Sequence, residues 1–79
     1  MMSGLWVVVA PGAGRIRLLP PVRFAHGAEV VARGQRIAVV QTSGGDRDVV
    51  TAVGGVVDGL LVHEGEPVHA GQPVMAVRT

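Results

Sequence analysis

Gly65-Glu66-Pro67-Val68-His69-Ala70-Gly71-Gln72-Pro73-Val74-Met75-Ala76-Val77 repeats the pattern of an earlier stretch, Gly27-Ala28-Glu29-Val30-Val31-Ala32-Arg33-Gly34-Gln35-Arg36-Ile37-Ala38-Val39. Each reads as a glycine, a valine, a Gly-Gln pair and an apolar run, with one extra residue between the two glycines of the first copy. The match extends upstream. Ala10-Pro11 followed by Gly14-Arg15-Ile16 parallels Thr51-Ala52 followed by Gly55-Val56-Val57. The Gly14–Gly27 spacing exceeds the Gly55–Gly65 spacing, and Pro20-Pro21 falls inside the longer one. An internal duplication of this kind organises the whole chain.

Working outward from the repeat, each half reads as strand, turn, short strand, Gly-Gln turn, strand. Glycine supplies the positive φ that tight turns need and that a Cβ resists. Valine, isoleucine and alternating patterning predict strands near 5–10, 15–18, 22–24, 29–32, 36–41, 47–53, 56–63 and 73–77. Two such halves would cover each other's apolar faces as a small sandwich or flattened barrel. Val57, Leu60 and Val62 cannot all face inward under strict alternation, so a bulge is expected at Gly59. Trp6 is expected to be at least partly buried as a plug on the first strand, because large aromatics are well buried on average.

Composition agrees. The 79 residues fit one domain, with the core at about 7–78, and 48% of them are hydrophobic, but only Trp6 and Phe24 are aromatic. Twelve glycines and five prolines interrupt the chain too often for a long helix. The absence of cysteine excludes disulfides and thiolate metal sites. A core this thin gains from self-association, so a homodimer is one expectation. Net charge is +1 and the arginines are scattered, which argues against nucleic-acid binding. Leu5–Ala10 is too short to cross a bilayer, no positive residue precedes it, and Pro11 follows where a leader would be cut. A cytoplasmic location without membrane attachment is therefore expected.

Val9-Ala10-Pro11 through Gly14, Gly34-Gln35, Gly55-Val56-Val57 through Glu64-Gly65, and Gly71-Gln72 together resemble biotin/lipoyl-attachment domains, and most closely the biotin carboxyl carrier domain of acyl-CoA carboxylases. The resemblance spans about residues 7–78. It implies an all-β barrel-sandwich hybrid of two four-stranded sheets related by a pseudo-twofold axis. In that family a hairpin between the halves, here about 41–48, presents a lysine, usually within Ala-Met-Lys-Met. Counting back from Gly55, the family's Glu-Ala-Met-Lys-Met falls on Gln41, Thr42, Ser43, Gly44 and Gly45, so Gly44 takes the place of the modified lysine. The family's Ala-Pro pair corresponds to Thr51-Ala52.

All seven basic side chains other than histidine are arginine, and no lysine occurs anywhere. Biotin and lipoate are joined through an amide to a primary amine, and the guanidinium of nearby Arg47 stays protonated and cannot serve. Gly44-Gly45 reads instead as a tight two-residue hairpin turn, both residues accepting φ > 0. Thr42 and Ser43 are the alternative anchors, as hydroxyls at a hairpin tip. A nucleophilic serine needs an oriented base, and Asp46 and Asp48 are the only acids close in sequence. The plainer reading makes them turn residues bonded to their own backbone. His26, His63 and His69 sit at turns that the repeat holds apart, short of the three or four converging ligands of a zinc site. No catalytic residue, metal site or cofactor is therefore expected. The expected function is a non-enzymatic interaction module within a carboxylase-like or acyl-transfer assembly. The alternative is a carrier with an unconventional attachment at Ser43 or Thr42.

Overall fold

The structure is a computed structural model that describes residues 4–79. Nine strands form among them: β1 (Leu5–Val9), β2 (Gly14–Leu18), β3 (Phe24–Ala25), β4 (Ala28–Val31), β5 (Arg36–Thr42), β6 (Gly45–Val50), β7 (Gly55–Leu60), β8 (Pro67–Val68) and β9 (Pro73–Arg78). They make a five-stranded sheet in the order β1-β9-β7-β4-β3 and a four-stranded sheet in the order β6-β5-β2-β8, with every pairing antiparallel. No helix occurs among the described residues. This is the barrel-sandwich hybrid that the sequence resemblance implies.

The duplication survives in the hydrogen-bond register. β1 meets β9 with Val8 opposite Met75 and Val9 opposite Pro73, skipping one residue. β6 meets β5 with Val49 opposite Ala38 and Val50 opposite Arg36, the same skip at the same place. The N–H of Gly71 donates to Ala10 O at 2.8 Å, and that of Gly34 donates to Thr51 O at 2.8 Å. In each Gly-Gln turn the glutamine Oε1 accepts from the residue three positions earlier, His69 N to Gln72 and Ala32 N to Gln35, both at 2.9 Å. Gly34 and Gly71 both have φ of +82°, which explains why glycine stands at each.

The valines and isoleucines of the inner faces form the core. Ile16 and Val40 face each other across β2 and β5, as Val57 and Val77 do across β7 and β9. Ile16, Val40, Val49, Val74 and Val77 are fully buried. Thr51 is the one buried polar residue among those described, and its hydroxyl is satisfied by donating to Val53 O at 2.7 Å and accepting from Val53 N at 3.2 Å.

Three expectations need correction. The sheets hold five and four strands rather than four each. The longer Gly14–Gly27 segment adds β3 through a tight turn at His26-Gly27, whose φ values of 52° and 80° are both positive. β8, only two residues long, pairs with Gly14 and Arg15 and escaped the strand pattern. Trp6 is not a buried plug, because it keeps 53% of its surface exposed on the edge strand β1. The bulge, by contrast, lies where alternation fails. The register of β7 on β9 shifts between Val57 and Gly59, leaving Asp58 as the extra residue.

Candidate functional site

The hairpin joining the halves is β5–β6, and its tip is Thr42-Ser43-Gly44-Gly45, with Thr42 opposite Gly45 in the last rung. The two central residues are therefore Ser43 and Gly44, not the expected Gly44-Gly45 pair. Gly45 alone has a positive φ, +116°, while Gly44 has none. A Cβ built on Gly44 would meet only Thr42 Oγ1, at 3.9 Å, so that position has room for a side chain.

Thr42 holds the turn shut. Its Oγ1 donates to Gly45 O at 2.6 Å and accepts from Gly44 N at 3.2 Å, which bears out the plainer reading of this residue. Ser43, Gly44, Gly45, Asp46, Arg47 and Asp48 are all exposed. Asp48 Oδ1 accepts from Arg36 at 3.4 Å across the hairpin, a weak exposed pair. Among the described residues no hydrogen bond joins Ser43 to a base.

The other candidates are dispersed. His26 lies in the β3–β4 turn, whereas the backbones of His63 and His69 belong to two further turns, closed by Glu66 and Gln72. No group of three or more His, Cys, Asp or Glu side chains able to hold a metal ion occurs among the described residues. Glu64 accepts from Leu18 N at 2.6 Å and from Arg17 Nε at 2.7 Å. The backbone bond first, and Arg17 second, lower its pKa below the usual carboxylate value. This ties the end of β2 to the β7–β8 loop and is a structural clip. The Pro20-Pro21 segment also leaves an open cleft of about 350 Å³ between Leu19, Ile37, Leu60 and Met75, with Glu29 as its only ionisable group. An open cleft with one carboxylate lacks the convergent polar groups of a catalytic site.

The tip thus sits between two register-equivalent halves, on a hairpin continuous with the four-stranded sheet. A family model described as Biotin-requiring enzyme matches residues 7–77. The chain belongs to the biotin/lipoyl-attachment family. No curated protein matches it significantly. Biotin/lipoyl domains are attachment and carrier domains that are not themselves catalytic, and they work within enzyme complexes. The residues of this biotin/lipoyl domain do not fit a lysine-linked group. The tip offers a hydroxyl, hydrogens and carboxylates, and the long basic side chains beside it, Arg47 on β6 and Arg15 opposite Gln41, are guanidiniums. No helix long and apolar enough to cross a membrane occurs among the described residues.

Proposed function

We propose that this biotin/lipoyl domain works without a prosthetic group, as a non-enzymatic docking module of a cytoplasmic carboxylase-like or acyl-transfer assembly. Gly44 stands where carriers of the family present the modified lysine. The observation that carries the reading is a family framework with no lysine in the sequence, whose central hairpin closes as a turn bonded through Thr42. Carrier domains meet their enzymes through the shape and charge around this hairpin. The exposed run Asp46-Arg47-Asp48 keeps such a surface here. Affinity capture of the chain from its native lysate tests the proposal: a stoichiometric enzyme subunit is expected, and a chain recovered alone contradicts it.

A carrier with an ester at the tip is the second reading. It narrows to Ser43, since Ser43 is exposed at the apex while the Thr42 hydroxyl is committed at both ends of its hydrogen-bonding capacity. The exposed serine has no oriented base, which leaves activation to an external enzyme.

A further inference from the structure

The two halves give the fold an internal control for its own surface. The register that pairs β1 with β9 and β6 with β5 sets Leu5, Trp6 and Val7 in the places of Asp46, Arg47 and Asp48. Leu5 faces Arg78 as Asp46 faces Gln41, Trp6 faces Val77 as Arg47 faces Val40, and Val7 faces Ala76 as Asp48 faces Val39. The fold therefore accepts three consecutive charges at the equivalent positions of β6, while Trp6 and Val7 line an open cleft with Val50–Val53 of the other half. Yet Leu5, Trp6 and Val7 are apolar and remain 58%, 53% and 48% exposed.

β1 is also an edge. It pairs only with β9, and the N–H of Thr79 donates to Gly4 O at 2.9 Å. Alternation from that bond turns the N–H and C=O groups of Leu5 and Val7 away from β9, to the flank on which no strand pairs with β1. Edge strands are ordinarily protected from further pairing by charge, and β6 carries that protection while β1 does not.

We infer that β1 is a self-association strand, which pairs antiparallel with β1 of a second copy of this chain about a twofold axis at Trp6. Trp6 then meets its own counterpart, and Leu5 lies opposite the second copy's Val7. Charge selects this pairing over those that involve β6, the counterpart of β1 in the other half. Pairing β1 with a second copy's β6 would set Leu5 and Val7 against Asp46, Arg47 and Asp48. β6 against a second β6 about Arg47 would place Asp46 opposite Asp48 and Arg47 opposite itself, like charge on like charge. β1 against β1 has no charge to oppose. The three side chains leave on the order of 300 Å² exposed per copy, less than half of the ~800 Å² per partner of a standard stable interface. The pair is accordingly weak and reversible.

Trp6 is the only tryptophan in the chain, so its emission reports this contact directly. Sedimentation equilibrium and Trp6 emission are measured on the full chain from micromolar to millimolar concentration. The expected result is a mass rising from 8.1 kDa toward twice that value, with emission shifting to the blue in step. The double variant Leu5→Asp/Val7→Asp, which copies Asp46 and Asp48, should associate at least ten-fold more weakly, since the pairing sets its new carboxylates opposite each other. If it fails to fold, Trp6→Arg, which copies Arg47, takes its place with mass as the readout. A wild-type chain that stays at 8.1 kDa with constant emission overturns the inference, as does a folded variant that associates like the wild type. A wild-type monomer whose Trp6 is covered only by another protein's strand overturns it equally.

Discussion

A side chain at Gly14 would run into the carbonyl oxygen of Gln41, and one at Gly55 into that of Arg78. These two glycines permit the close crossing that each half of the sequence repeats, and that is why both copies keep them. Gly14→Ala should cost about 1–3 kcal/mol through forced backbone displacement, read as a lowered urea midpoint with unchanged slope. Gly44→Ala should fall within about 0.5 kcal/mol of the wild type, because its φ is ordinary and the space is open. At the tip, sequence alone located the hairpin but assigned the turn to the wrong pair. Two adjacent glycines look alike in a sequence, and it is the register, with Thr42 opposite Gly45, that goes with the positive φ of the second. Trp6 was misread for a related reason. Average burial of aromatics says nothing about a position whose strand ends up at a sheet edge.

At the level of elements, the strands carrying the repeat were legible because period-two patterning and paired glycines agreed. The bulge in β7 was legible too, from the failure of alternation across Val57, Leu60 and Val62, although Leu60 stays 50% exposed instead of turning inward. β8 was not, because two residues, one of them Pro67, carry no periodicity. Its place is fixed by long-range contacts. Ile16 N donates to Glu66 O at 3.1 Å, and Gly65 N donates to Ile16 O at 2.8 Å. The neighbouring Glu64 clip yields a pH dependence. Its folded pKa lies below its unfolded value, so its contribution to stability is complete above the unfolded value and fades as pH falls through the folded one. Glu64→Gln should therefore be less stable than the wild type at pH 7. That gap should close under acidic conditions, below the ordinary carboxylate range, in thermal melts across a pH series. A gap that persists undiminished at low pH would show that the charge on Glu64 does not matter to the clip.

Across the whole molecule, the pseudo-twofold axis makes the β5–β6 tip the counterpart of the junction where Thr79 meets Gly4. The framework was readable from the sequence because a repeat constrains both halves at once. The proposal for the tip rests on chemistry alone, the missing amine. If Gly44 holds the family's lysine position, Thr42→Ala/Ser43→Met/Gly44→Lys should fold and be modified by a biotin ligase, while Asp58→Lys should not. Retaining Gly45 avoids a side chain at φ +116°, which would cost about 1–2 kcal/mol. Equal modification of both variants would remove the assignment of Gly44. The intact mass of the chain purified from its native host tests whether this carrier framework carries a group. The mass of the unmodified polypeptide is expected. A stoichiometric added mass that fragmentation places on the hairpin, at Ser43 above all, would contradict it.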